Sequence, residues 1–97
     1  MSSENVRLVL RVHAVLRMFD RGITVDDVRA VLRTGETIEN YPDDRPYPSR
    51  LVLGWSGHRP LHVVAADNAE ANETVVITVY EPNPARWEPG FRRRRPQ

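Results

Sequence analysis

The first part of the chain shows a helical alternation of apolar and basic positions. At 100° per residue, one arc comprises Leu8, Val9, Val12, Val15, Leu16 and Phe19. The opposite arc comprises Arg7, Arg11, Arg17 and Arg21, with His13 at its edge. This pattern predicts an amphipathic helix over residues 5–20. Alternation at Val6, Leu8, Leu10 and Val12 also fits a β-strand, in which case the helix covers residues 13–20.

A second helix is predicted directly after Gly22, because glycine commonly ends a helix. Thr24 is placed to cap it, with Asp27 three residues later in the spacing of a capping box. Thr34-Gly35 ends it. Its apolar stripe comprises Val25, Val28, Val31 and Leu32. Two short helices joined by a short turn predict a helical hairpin.

From residue 36 onward the apolar pattern is typical of strands. Four strands are predicted in ETIENY, RLVLGWS, PLHVVAAD and TVVITVYE, and the proline-rich stretch YPDDRPYPSR predicts a constrained loop. Helices first and strands afterwards favour an α+β fold, with the hairpin on one face of a four-stranded, mostly antiparallel sheet. We expect one domain over residues 1–91 and a basic tail over residues 92–97.

The turn between the second and third predicted strands decides where His62 points. A two-residue loop, 57–58, would pair Leu53 with His62, whereas a three-residue loop, 57–59, would pair Gly54 with His62. The longer loop gives one face that is wholly apolar, so it is the arrangement predicted here. His62 would then lie on the sheet face away from the helices, with open space beside it.

Composition limits the classes of function. The 97 residues suit one domain, the formal net charge is +1, and all 14 basic residues are arginine. The absence of cysteine excludes disulfides and thiolate metal sites and suits a reducing cytoplasm. We see no signal peptide and no apolar run approaching the roughly 20 residues of a membrane span. No metal site and no cofactor are expected.

The candidate chemistry is cleavage of RNA by its own 2′-hydroxyl. This reaction needs a base, an acid and cations that stabilise the transition state, and histidine suits the first two roles. Tyr80 shares a side of the last strand with Thr78, and both would line a shallow groove with His62. His62 also suits a structural role, bonded to a backbone carbonyl. The candidate catalytic residues are His13, Arg17, Arg59, His62 and Tyr80.

Other basic and aromatic residues are candidates for binding RNA. Arg21 extends the basic arc of the first helix, which could contact phosphates or be simply solvated. Arg45 and Tyr47 lie in the proline-rich loop, where the tyrosine could stack on unpaired bases or pack on proline. The run of arginines over residues 92–95 could add non-specific RNA affinity or mediate partner binding.

Four stretches of the sequence together resemble the DUF4258 family. They are HAVLRMFDRGIT, YPDDRPYPSRLVLGW, RPLHVV and VITVYEPNPARWEPGFRRRR, and they cover about residues 13–95. That family is similar to RelE/ParE-type toxins, so the resemblance implies a metal-independent endoribonuclease encoded beside an antitoxin. It implies functional roles for His13, Arg17, Arg59 and His62, with Tyr80 as a further possibility.

Two main hypotheses follow for the function, beside a third, an interaction domain with no nucleic-acid role that only the proline-rich loop supports. The first is an RNA-cleaving toxin of a toxin–antitoxin pair, with RNA and a small antitoxin as partners. The second is a non-catalytic module of RelE/ParE-like fold that binds nucleic acid or protein and in which His62 is structural. The near-zero net charge favours the second, because RNA-binding domains are usually more basic. The oligomeric state is not predicted.

Overall fold

The computed structural model describes residues 6–96, which form two helices and one five-stranded sheet. In chain order the elements are β1 (Arg7–Leu10), α1 (Val12–Arg21), α2 (Val25–Thr34), β2 (Glu36–Tyr41), β3 (Ser49–Ser56), β4 (Arg59–Asn68) and β5 (Glu73–Tyr80). The strand order is β1-β5-β4-β3-β2. β1 is parallel to β5, and the other neighbours are antiparallel. The α+β class is therefore confirmed, with five strands in place of the predicted four.

The added strand is β1, where the prediction of one helix over residues 5–20 is wrong. The alternative holds, since a strand leads into a helix that begins at Val12. β1 pairs with β5 from Arg7 opposite Glu73 to Leu10 opposite Val76. The apolar pattern of these residues fits both a helix and a strand. The strand forms because the edge of β5 offers hydrogen-bond partners for its backbone. Residues 1–5 and 97 lie outside the described residues.

The predicted end of α1 and the predicted start of α2 are confirmed. Gly22 adopts the left-handed conformation (φ 64°) after α1. The Thr24 hydroxyl accepts from the backbone N–H of Asp27 at 3.0 Å. In return, the backbone N–H of Thr24 donates to Asp27 Oδ2 at 2.9 Å. This capping box fixes the start of α2, so that three residues separate the two helices.

The predicted three-residue turn between β3 and β4 is wrong. Ser56 pairs with Arg59 and Leu53 pairs with His62, which is the register of a two-residue loop. The reason is Gly54, which lies against α2, where a Cβ would stand 2.8 Å from Val31 Cγ2. Because Gly54 has no side chain, α2 packs directly on the sheet at this point. Gly54 is therefore not beside His62, and the predicted open space is absent.

The two faces of the sheet are covered by different parts of the chain. The helices cover one face, and the core between them comprises Ala14, Met18, Ile23, Val28, Val31, Val52, Leu61, Val63, Ala65, Val76 and Val79. Residues 82–96, here called the C-terminal segment, turn back over the opposite face. Within residues 6–96, neither helix has the length and apolar character needed to cross a membrane.

Candidate functional site

His62 is fully buried, and both of its ring nitrogens are hydrogen-bonded. Nε2 lies 2.9 Å from the backbone carbonyl oxygen of Phe91, and Nδ1 lies 3.1 Å from the hydroxyl of Tyr80. Because a carbonyl only accepts, Nε2 carries the proton and Nδ1 accepts from the Tyr80 hydroxyl. The imidazole is thus a neutral crosslink between β4, β5 and the C-terminal segment.

Aromatic rings and an ion pair enclose this histidine. Trp87 is buried and meets the imidazole edge-on, with ring centroids 4.4 Å apart. The Arg94 guanidinium stacks on Trp87, 4.7 Å from its ring centroid, and pairs with Glu39 of β2 at 3.1 Å. The C-terminal segment therefore fills the side of the sheet that was predicted to be an open groove.

The electrostatics of the cluster fix its protonation states at neutral pH. Burial lowers the pKa of His62 below its ordinary value, although the Phe91 hydrogen bond and the charge of Glu39 act against it. Burial raises the pKa of Glu39, but hydrogen bonds from Arg94 and Tyr41 outweigh it and leave a net decrease. Burial and Glu39 raise the pKa of Tyr41 to about 12. The cluster thus holds a neutral histidine, a carboxylate and a protonated tyrosine.

Arg59 lies on the opposite side of the sheet from His62. The two are three residues apart on β4, and successive side chains of a strand alternate between faces. The Arg59 guanidinium pairs with Glu81 at 2.9 Å and donates to the backbone carbonyl oxygens of Arg21 and Gly22. It therefore ties β4 to the C-terminal end of α1, where the last carbonyl groups lack helical partners.

The predicted acid/base pair is not brought together. His13 and Arg17 are exposed on α1, on the helix side of the sheet, while His62 is sealed on the other side. Of the candidate catalytic residues, the structure places only Tyr80 in contact with His62.

The candidate RNA-binding residues lie in separate places. Arg21 is the exposed last residue of α1, and Arg45 is exposed in the loop between β2 and β3. Tyr47, in the same loop, accepts a hydrogen bond from the Asn68 amide at 2.9 Å, at the end of β4. Tyr47 is thus held by the domain itself, and these three residues form no common surface with His62.

A feature that sequence reasoning missed is the exposure of the apolar arc of α1. Only Ala14 and Met18 of this helix are buried, against β5 and its neighbours. The exposed apolar side chains are Val12 (75% exposed), Val15 (45%), Leu16 (59%) and Phe19 (87%), here called the α1 stripe. Their spacing of i, i+3, i+4 and i+7 makes one continuous strip along the helix.

The sequence signal for this exposure was the small size of Ala14. An alanine at the point of contact lets the backbone of α1 approach the sheet and turns the larger apolar residues outward. The stripe contains four of the six large apolar residues that are exposed among the described residues, and it forms our candidate functional site.

The family comparison matches residues 10–81, more than half of the 97 residues, to the DUF4258 model, described as a domain of unknown function. The chain belongs to the DUF4258 family. The matched part of this DUF4258 domain includes the α1 stripe and His62, and it ends one residue before the C-terminal segment that seals His62. Comparison with curated proteins gave no match, and comparison with solved structures gave none either.

Proposed function

We propose that this DUF4258 domain is a non-catalytic protein-binding module that holds an amphipathic helix of a partner protein on the α1 stripe. The observation that carries the proposal is the exposure of Phe19 and its three apolar neighbours on α1. Apolar area in water is unfavourable by about 25 cal/mol per Å². A contiguous exposed apolar patch of this kind marks interaction surfaces on soluble domains.

The geometry of the stripe suits a helix as its occupant. From Val12 to Phe19 the stripe extends over two helical turns, about 10 Å along the axis. Its side chains form a ridge at the spacing by which one helix packs into the groove of another. An amphipathic helix with its own i, i+3, i+4 and i+7 apolar positions would bury all four side chains.

The charge of α1 indicates what flanks that helix. Arg11, Arg17 and Arg21 stand against a single acidic residue, Asp20, on or next to α1. A second copy of the chain would therefore bring two positively charged helices together, which is unfavourable. A partner helix with acidic flanks would be complementary. One face of a ten-residue helix provides far less than the roughly 800 Å² per partner of a stable interface, so the partner must extend beyond α1.

A small antitoxin-like protein is the kind of partner that the proposal implies. The likeness to RelE/ParE-type toxins, drawn from the motif stretches and the order of the elements, belongs to this proposal. Catalysis of RNA cleavage does not have comparable support, because the imidazole of His62 is buried and both of its nitrogens are engaged. In this proposal His62 is a structural residue.

The test uses two designed helical peptides of about 20 residues, long enough to form a helix on binding. Both carry leucine at i, i+3, i+4 and i+7, and one has glutamate flanks where the other has lysine. We expect the acidic peptide to bind with micromolar affinity and to shift amide signals of α1 in NMR spectra. The lysine peptide should bind at least about tenfold more weakly.

Variants of the full chain locate the binding. The double variant Leu16→Ser/Phe19→Ser should weaken the acidic peptide at least about tenfold, since it removes the two largest apolar contacts. Trp55→Ser removes an exposed apolar residue from the other side of the sheet and should leave peptide affinity unchanged.

Three outcomes would overturn the proposal. They are failure of the acidic peptide to bind, dimerisation of the free chain through α1 in sedimentation experiments, and equal weakening by Trp55→Ser. RNA cleavage in EDTA that gives 2′,3′-cyclic phosphate ends and is lost in His62→Ala would instead support the nuclease hypothesis.

A further inference from the structure

An open groove of about 480 Å³ lies on the helix side of the sheet, beside α2 and away from the α1 stripe. Five elements contribute to it. α2 forms one wall, and the uncovered parts of β1, β3, β4 and β5 form the rest. Its lining is unusual in joining an aliphatic floor to three guanidinium groups. The lining residues are Val6, Leu8, Leu32, Arg29, Arg33, Arg50, Asp67 and Thr74.

One of the three arginines is already paired within the groove. Arg50 Nε lies 3.0 Å from Asp67 Oδ2, and the Thr74 hydroxyl donates to Asp67 Oδ1 at 2.9 Å. Burial raises the pKa of Asp67, but these two partners outweigh it, so the carboxylate is charged. The pair is thus an internally neutral, fixed wall of the groove.

The other two arginines have no such partner. Arg29 and Arg33 stand one turn apart on α2, on the side that faces the groove. Within residues 6–96, neither makes an ion pair or a side-chain hydrogen bond. Like charges at this spacing repel each other and destabilise an isolated helix. With Arg50 and Asp67 cancelling, the groove carries a net charge of about +2 that nothing in the described chain neutralises.

We propose that this groove binds a phosphate monoester attached to a small organic group. Guanidinium groups bind phosphate oxygens in bidentate fashion, and the two free cations match the charge of a dianion. The aliphatic floor of Val6, Leu8 and Leu32 receives the organic part of the ligand. The volume lies within the range of about 300–1,000 Å³ that small-molecule sites occupy.

The phosphate could come from a free nucleotide or from the 5′ end of an RNA, and the experiment separates these sources. The full chain, labelled with ¹⁵N, is titrated with inorganic phosphate, adenosine, adenosine 5′-monophosphate, and a short RNA with and without a 5′-phosphate. We expect the monophosphate to bind at least about tenfold more tightly than either phosphate or adenosine, with shifts of the Arg29 and Arg33 Nε–H signals.

A matched pair of variants tests the arginines. Arg29→Gln/Arg33→Gln should weaken the monophosphate at least about tenfold and lower the salt dependence of binding. Arg86→Gln/Arg93→Gln removes the same charge from exposed positions of the C-terminal segment, on the opposite side of the sheet, and should change affinity less than about twofold. Tighter binding of the 5′-phosphorylated RNA than of the monophosphate identifies an RNA end as the source, and equal or weaker binding identifies the free nucleotide.

The inference fails if no probe gives saturable shifts in the groove, if adenosine binds as tightly as its monophosphate, or if the control variant in the C-terminal segment weakens binding equally. None of these results bears on the α1 stripe, because the peptide experiments use a different surface and different variants. The two proposals therefore stand or fall separately.

Discussion

The buried cluster around His62 and the exposed α1 stripe place polar and apolar side chains in opposite environments. On one side of the sheet a histidine is withdrawn from water completely, and each of its nitrogens has a partner. On the other side, Phe19 stands almost wholly in solvent. A titratable residue in a cluster usually suggests a catalytic site, and an apolar residue usually suggests the core. Here the titratable His62 lies in the interior, and the apolar Phe19 lies on the surface.

The two regions differ in whether other residues of the chain offset the unfavourable environment, which is burial for His62 and exposure to water for the stripe. Burial of a polar group is costly unless it is hydrogen-bonded. No buried side-chain nitrogen or oxygen within the described residues lacks a partner, so the His62 cluster is complete as it stands. The same residues cover the stripe only in part, and Phe19 least of all. The complete region therefore stabilises the fold, and the incomplete one is where function is to be sought.

The largest effect should come from removing the cover of the His62 cluster. Trp87→Ala should lower the free energy of unfolding by about 3–5 kcal/mol, because it leaves a cavity beside the imidazole and removes the surface on which Arg94 stacks. Urea denaturation followed by circular dichroism measures this. Trp55→Ala is the control, since its side chain is 49% exposed and should cost far less. Equal costs would contradict the sealing role of the C-terminal segment.

The next effect is a dependence of stability on pH that originates in His62. Folding lowers the pKa of His62, so below about pH 6.5 this residue binds a proton more readily in the unfolded chain than in the folded chain. Stability should therefore decrease as the pH falls below 6.5, by at most about 1.4 kcal/mol per pH unit. The pKa values of Glu39 and Asp67 are lowered, so their contributions are lost only at more acidic pH.

The check is unfolding at pH 7.5, 6.5, 5.5 and 5.0 in the parent chain and in His62→Gln, whose side chain does not titrate. The variant should be less stable at every pH but should lose the decrease below 6.5. An unchanged slope would show that another group causes it.

The smallest effect should come from the stripe itself. Phe19→Ala should change the free energy of unfolding by less than about 0.5 kcal/mol, because the ring makes almost no contact that folding creates. The adjacent Met18 is 6% exposed, and Met18→Ala should cost about 2–5 kcal/mol. If the two substitutions cost the same in thermal or urea unfolding, the ring of Phe19 is packed in solution and the stripe is not free.

Local signals predicted much of the fold. The capping box of Thr24 and Asp27, the left-handed Gly22 and the four later strands depend on residues close in sequence, and they are found where expected. β1 was mistaken for helix because its pattern fits both periods, and only its pairing with β5 decides. The predicted β3–β4 register is wrong because Gly54 lies against Val31 of α2, and this contact between two elements leaves no local signal in the sequence.

The environment of His62 depends on still longer separations. The Phe91 carbonyl that binds it is 29 positions away, and Arg94 pairs with Glu39 across 55 positions. The C-terminal segment is rich in proline and arginine, a composition typical of a tail. It gives no indication that the segment folds back over the sheet. The side of α1 that meets the sheet is hard to predict for another reason, since most of the helix arc is apolar and only the small size of Ala14 marks the side that is buried.

The parallel pairing of β1 with β5 has a consequence for how the chain is made. Arg7 lies opposite Glu73, so β1 must wait for the synthesis of β5 before it can form these backbone pairs. Such distant closure is slow compared with local pairing. During synthesis, α1 cannot pack on β5 until that strand has emerged, and the apolar residues of α1 stay without a fixed arrangement until that moment.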